Sequence, residues 1–357
     1  MFKTVRIRVT AAAFIVAALV TLVPVTQAQE INPRRMTLPN ENLAKEAYLT
    51  VPPGGLVAAF SYEYEILEDA FTKQEASANS NNSFTLNNTL ALDLTYGLSP
   101  NVTLNAIIPY KYVYNTHRED SALVAGTPGV FFDSRRGSQG LGDVMLMSYL
   151  KLSVGDLLRF GDEYYPEGND GYDQYIDEGE RLYAGRRQGA VFSLALGVRL
   201  PTGRTDVVGD DGTRLPDDLQ LGTGTMDPIF GLLYHHRYYR LGWGLSALGR
   251  VSSQENIHHY QWGNEALGAA YVSYRVNKNL EWVNQVNGNL WERDQLNGAP
   301  VTSRGGSILY YTPSLIYVGS RSATFQASAE IPIYRNFNES QLSSDYIINI
   351  RTTFLFD

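Results

Sequence analysis

Between Ser83 and Tyr96 the chain alternates with a period of two. The even positions are Phe84, Leu86, Asn88, Leu90, Leu92, Leu94 and Tyr96, and all but Asn88 are apolar or aromatic. The odd positions are Ser83, Thr85, Asn87, Thr89, Ala91, Asp93 and Thr95, and all but Ala91 are polar. Such alternation makes a β-strand whose two faces meet different surroundings. At 14 residues it is also far longer than the ~5–6 residues of an ordinary globular strand. The pattern recurs in twelve segments: 56–66, 83–96, 102–114, 143–152, 189–200, 227–236, 241–251, 265–275, 280–291, 307–318, 323–334 and 346–356. Most are near the ~9–11 residues that a tilted strand needs to cross a bilayer.

The connections test this independently. After odd-numbered segments they are long and polar: 67–82, 115–142, 201–226, 252–264, 292–306 and 335–345. After even-numbered segments they are tight: 97–101, 237–240, 276–279 and 319–322. Bacterial outer-membrane barrels pair long outer loops with short periplasmic turns in this way. One connection breaks the rule. Residues 153–188 form an acidic, Tyr-rich stretch where a short turn is expected, either as a periplasmic insertion or as a hidden hairpin that raises the count to fourteen. Weak period-two character favours the insertion.

A soluble sandwich also alternates, because its inner face is buried. The strand lengths, the loop parity and the aromatics near strand ends weigh against it. Tyr110, Tyr112 and Tyr114 sit at one end, with Trp243, Trp282 and Phe354 near the other. Tyr and Trp favour the headgroup level, where the ring is dry and its tip is wet. In a bilayer every backbone polar group must pair within the protein, so the sheet must close. The expected fold is an all-β, transmembrane antiparallel barrel of twelve strands. Pro109, Pro313 and Pro332 fall inside the expected strands and call for bulges or strand ends, since proline donates nothing to a ladder.

Composition agrees. The 357 residues are 44% hydrophobic but only 18% charged, with 24 Tyr. The absence of cysteine excludes disulfides, thiol nucleophiles and cysteine-held zinc. A net charge of −8 argues against a nucleic-acid partner. Lys3, Arg6 and Arg8 precede a 15-residue apolar stretch, Ala11–Val25, and Thr26-Gln27-Ala28 ends it with a small residue. This is the layout of a secretory signal over residues 1–28. Residues 29–55 then form a segment long enough either to plug a lumen or to lie in the periplasm, and the barrel occupies 56–357.

Candidate chemistry is sparse. His235-His236 point to opposite faces of a strand, so the pair cannot chelate one ion there. His258-His259 lie in a loop near Glu255. The loop 206–227 is rich in aspartate, and Asp210-Asp211-Gly212 has a weak calcium-turn character without the spacing of an EF-hand. Its plainer reading is a solvated acidic loop. No catalytic residue, metal centre or cofactor is expected. The working residues are expected on the inward face: Glu63, Asp93, Arg199, Arg250, Glu281, Gln285, Asn287, Glu330 and Arg351, joined by Glu65, Asn105, Lys111, Asn289, Gln326 and Asn349. A wall of mixed charge either filters solutes or braces a narrow, filled barrel.

Four stretches carry a family likeness: LTYGLSPNVTLNAIIPY (94–110), GLGD (140–143) leading into 149–152, LGVRLPTGRT (196–205) and LGTGTMD (221–227). Together they resemble the outer-membrane family named for the meta-cleavage pathway of phenol degradation, over most of residues 56–357. The resemblance implies a porin-like channel or transporter in the outer membrane of a Gram-negative bacterium, for small hydrophobic or aromatic solutes. Membrane lipid, lipopolysaccharide and the barrel-assembly machinery are the expected partners. Two other classes remain open: an outer-membrane lipid hydrolase, and a structural or adhesion barrel with a filled lumen.

Overall fold

The computed structural model describes residues 51–77, 84–120, 131–152, 189–209, 212–238, 240–320 and 323–356. The expected signal, most of 29–55, the whole of 153–188, and Asp210 and Asp211 lie outside the described residues. The strands are β1 (Leu56–Lys73), β2 (Glu75–Ser77), β3 (Phe84–Ser99), β4 (Val102–Asp120), β5 (Phe131–Leu141), β6 (Met145–Leu152), β7 (Gly189–Arg199) and β8 (Asp227–Tyr238). They continue as β9 (Leu241–Arg250), β10 (Tyr260–Gln261), β11 (Glu265–Arg275), β12 (Leu280–Trp291), β13 (Gln295–Leu296), β14 (Ala299–Pro300), β15 (Gly306–Ser320) and β16 (Ala323–Phe356).

Eleven of these close a ring in the order β1, β3, β4, β6, β7, β8, β9, β11, β12, β15, β16 and back to β1, with β2 and β5 paired outside it on β1 and β4. Every pairing in the ring is antiparallel. An odd antiparallel ring cannot close unless one member reverses. β16, 34 residues long, is that member. Its first half pairs with β15, from Ser320↔Ala323 to Gly306↔Phe337. Its second half pairs with β1, from Phe71↔Gln341 to Leu56↔Phe356. Arg335 donates to Ser343 Oγ across the fold at 2.6 Å. Twelve passes therefore span the wall among the described residues, which is the count the alternation predicts.

Alternation sorts the side chains into two rows. The outward row leaves large apolar groups exposed: Leu196 52%, Phe230 50%, Leu245 53%, Trp282 50%, Leu315 51%. An apolar belt of this extent is unstable against water and stable against lipid. Two outward asparagines interrupt it. Each has its amide oxygen capped by a tyrosine hydroxyl at 2.6 Å, Asn88 by Tyr62 and Asn284 by Tyr311.

The three prolines sit where the ladder already lapses. A register shift beside Pro332 leaves Ile333 unpaired, as in a bulge. Pro313 coincides with a break in the pairing between Tyr311↔Ile331 and Ser314↔Ser328. Pro109 faces the junction of β5 and β6, where its carbonyl accepts Gly142 N–H at 2.8 Å.

Three expected loops differ from the structure. Much of 115–142 is strand, as β4 runs on to Asp120 and pairs with β5. β1 continues to Lys73, and 335–345 is strand within β16. The backbone ladder persists there without a two-faced alternation: Leu67, Ala70 and Leu342 form a buried cluster, and Gln341 to Ser344 are buried in succession. Opposite these hairpins, at the end of the short turns, Val51 is buried and Gly54 N–H bonds Gly97 O at 2.8 Å. Gly97 must be glycine because a Cβ there would collide with the carbonyls of Val51 and Pro52.

Candidate functional site

The inward face has two unlike halves. On one side, Ala91, Ile107, Met145, Met147, Tyr149, Ala195, Ile229, Leu233, Leu248 and Leu267 form one buried cluster. These residues lie on seven strands, from β3 round to β11. The sequence reading missed this wall, because β4, β6 and β8 are apolar on both faces and period two fades. Its signal was apolar residues at both parities, as in Ile229-Phe230 and Leu232-Leu233.

The other side, from β12 through β15, β16 and β1 to β3, carries a hydrogen-bonded polar network set among smaller apolar clusters, Val283 with Ile316 and Ile308 with Tyr310, Phe337 and Ile347. Asn287 donates to Glu330 at 2.8 Å and accepts from Thr312 at 2.6 Å. Asn349 donates to the other Glu330 oxygen at 3.3 Å, and Arg351 donates to Asp93 at 2.8 Å. Gln285 is buried two residues before Asn287. Glu63, half-buried, lies in register between Thr89 and Asn349. Glu65 accepts from Asn87 at 2.9 Å and from Ser344. Toward the short turns, Arg237 reaches Glu281 at 2.8 Å.

At the long-loop end, Arg199 and Arg250 share the fully buried Asp227. Arg250 also bonds Glu265 at 3.1 Å and Gly263 O at 3.1 Å. Three of the motifs singled out from the sequence converge beside this chain of charges. The wall breaks at Gly142–Val144, between β5 and β6, and Asp143 turns toward the loop after β7. It accepts Gly203 N–H at 3.0 Å, and Thr223 N–H and Oγ1 at 2.7 Å each. Thr202 Oγ1 donates to Gly142 O and accepts Val144 N–H. Gly203 and Gly222 pass so close that a Cβ on either would meet the other's backbone. The motif residues thus lock a long loop onto an interruption in the wall.

Further polar groups lace the outer loops together. Arg304 meets Asp218 at 3.2 Å and Asp294 at 3.7 Å. Burial opposes its charge, but Asp218, Tyr260 and Asp294 raise its pKa above the ordinary arginine value. Burial pushes the Tyr260 phenol up, and Asp294, which accepts its proton in a hydrogen bond, adds to the rise. Asn256 bonds Asp217 and Thr223 O at 3.2 Å each. The acids described in the Asp-rich loop each face an arginine: Asp206 with Arg204, Asp217 with Arg214, Asp218 with Arg304, and Asp227 with both lumen arginines. His235 turns inward onto Tyr271, while His236 turns outward and stacks on Trp243 at 5.4 Å. His259 meets Glu255 at 3.3 Å.

Neither a protein-family model nor a curated relative matches the sequence. Solved structures do. The COG4313 outer membrane channel from Pseudomonas putida F1 superposes with a TM-score of 0.59 at 12% identity, covering 92% of this chain and 100% of that one. This is the fold of an outer-membrane barrel. The P. putida toluene transporter TodX is more distant, with a TM-score of 0.43 at 9% identity, covering 87% and 92%.

Proposed function

We propose that the protein is an outer-membrane channel through which small hydrophobic or aromatic molecules diffuse passively. The observation that carries this reading is the large apolar cluster on the inward face of β3 to β11. Met145, Met147, Ile229 and Leu233 pack together on the inner face and make it more apolar than an aqueous pore requires. The opposite wall supplies polar groups that orient what passes. The resemblance to the phenol-degradation family supports the same solute class, and the protein whose fold this chain shares is itself an outer membrane channel.

One observation favours a structural barrel instead: the inward side chains are packed together, with Ala59, Met145, Ala195 and Thr312 at 0% exposure. Planar-bilayer recording and solute uptake decide between the two. The channel reading expects conductance and faster uptake in porin-deficient cells making the protein. A correctly folded barrel, silent in both assays, refutes it.

A further inference from the structure

The chain carries a net charge of −8, yet its short-turn rim is basic. Three neighbouring turn segments, 237–241, 275–280 and 318–323, hold Arg237, Arg240, Arg275, Lys278 and Arg321 and no acid. Arg321 lies outside the described residues; Arg240 and Lys278 are exposed. The nearest acid in sequence, Glu281, is buried and takes Arg237 at 2.8 Å. Hydrogen bonds tie the turns into one surface. Arg275 N–H donates to Arg240 O at 2.8 Å, Val318 N–H to Asn279 O at 2.7 Å, and Asn279 Nδ2 to Val318 O at 2.6 Å. Asn277 Oδ1 accepts the N–H groups of Asn279 at 2.8 Å and Leu280 at 3.0 Å, which fixes the turn that carries Lys278.

The same arc of wall presents outward aromatics. Trp243, Tyr274, Trp282 and Tyr317 are exposed on the lipid-facing row, each within two residues of a turn segment. Tyr274 stands opposite Trp282, and Tyr317 opposite Leu280 and Phe325. Trp and Tyr settle where hydrocarbon gives way to headgroups. The turns just beyond them therefore lie at the level of the headgroup phosphates, within reach of long Arg and Lys side chains. Short turns of an outer-membrane barrel face the periplasm. The leaflet on that side is glycerophospholipid, whereas lipopolysaccharide fills the other.

We propose that this rim binds anionic glycerophospholipid of the periplasmic leaflet, its phosphate facing Arg240 and Lys278 and its acyl chains lying on Trp243, Tyr274 and Trp282. A zwitterionic headgroup brings an ammonium of its own toward the two cations. A phosphatidylglycerol headgroup brings only negative charge, so the rim prefers it. The preference does not depend on what crosses the lumen, because Arg240 and Lys278 stand on the turns outside it.

The tryptophans supply the probe. Of the four, Trp262 is buried and Trp291 packs on Phe337 at the long-loop end, so Trp243 and Trp282 are the two that meet lipid. Quenching of their fluorescence by brominated acyl chains reads which lipid sits at this rim. The barrel is folded into vesicles of phosphatidylcholine mixed with phosphatidylglycerol, with one or the other brominated. At low salt phosphatidylglycerol should bind there about fivefold more tightly than phosphatidylcholine, the worth of one surface cation. At about 0.5 M salt the ratio should fall toward one, since the charges are then screened. In Arg240→Gln/Lys278→Gln it should fall to about one at low salt, with gel mobility still that of a folded barrel. Arg240→Gln alone, on an exposed turn, should lower it part-way. A ratio near one in the wild type overturns the proposal, as does a wild-type ratio that neither variant changes. Weak quenching by both lipids overturns it too, because the tryptophans would then stand away from the acyl chains.

Discussion

Asp227 is the residue whose loss the structure predicts most sharply. Its carboxylate is fully buried, with Oδ2 accepting from Arg199 Nε at 3.1 Å and Arg250 Nη1 at 3.1 Å, and Oδ1 from Thr225 Oγ1 at 3.0 Å. At an effective dielectric of ~20, each 3.1 Å ion contact is worth roughly 5 kcal/mol of Coulomb energy before desolvation is subtracted. Asp227→Asn keeps the shape and removes the charge. Arg250 retains Glu265, but the nearest acid otherwise paired with Arg199 is Asp143, 4.0 Å away. The loss therefore falls on Arg199, a guanidinium at 5% side-chain exposure beside a second cation. Removing one partner of a buried ion pair costs about 3–5 kcal/mol, and the share Asp143 recovers places the expectation near ~3 kcal/mol. Urea unfolding of the barrel in lipid vesicles, followed by Trp fluorescence and by gel mobility, reads this directly. Adding Arg199→Met to Asp227→Asn removes the stranded charge and should restore about half of the loss. A loss below ~1 kcal/mol, or a double variant weaker than the single, refutes the account.

Three further outcomes follow from other parts of the wall. Asp345, at the outer hairpin beyond the belt, has its pKa raised to about 6, first by burial and then by Asp69. It is protonated in the fold below that value, so it favours folding fully below its ordinary 3.8, and this stabilisation is lost as pH rises through 6. Because the group is half-exposed the effect discounts to about 1 kcal/mol, and Asp345→Asn should stabilise the barrel by that amount at pH 7.5 and by nothing at pH 3.5 in the same urea assay. Leu245, midway along β9 and 53% exposed, faces lipid. Leu245→Arg should destabilise the vesicle-folded barrel by about 2–4 kcal/mol, and a loss under ~1 kcal/mol would place that face elsewhere. Gly97→Val should drive Val51 and Pro52 off the inner rim, seen as faster protease cleavage before residue 56 in a barrel that still migrates as folded.

The barrel was legible in the sequence because its outward row has one demanding solvent. Apolar and aromatic residues at every second position over a stretch as long as Phe84–Tyr96, with the loop parity, point to lipid on one face. The count of twelve was legible for the same reason, even though β16 is continuous strand through its reversal at 337–341. The strands at 115–120 and 131–141 were not legible, since their sequences lack the alternation of apolar and polar residues that marks the others. Single inward charges were readable as positions, but not as partners. Arg199 and Arg250 stand 51 residues apart in sequence and meet on Asp227, a residue that reads as one more loop acid until the ring closes. Likewise Gly203 of LPTGRT and the first glycine of LGTGTMD, Gly222, read as turns, whereas they let two backbones cross beside Asp143.

The apolar lumen wall was hidden by the rule that revealed the barrel. Period two is a contrast between faces, and it vanishes wherever the inner face is also apolar, as at Met145–Leu152 and Ile229–Leu233. A weak alternation inside an otherwise regular barrel is therefore informative: it marks strands whose inner face serves something other than water. Here the largest apolar cluster runs over contiguous strands from β3 to β11, while smaller clusters lie on β11, β12, β15, β16 and β1. A barrel braced only for strength can distribute apolar and polar filling in any order, because each layer needs only to pack. A path for amphipathic molecules needs the apolar residues on one side and the hydrogen-bonding residues on the other, along the length of the wall. In this barrel the two kinds are mixed: the largest apolar cluster lies between β3 and β11, yet Asn105, Ser193, Arg199, His235 and Arg250 are buried on those strands, and Val283, Ile308 and Ile316 lie on the side of Asn287 and Glu330.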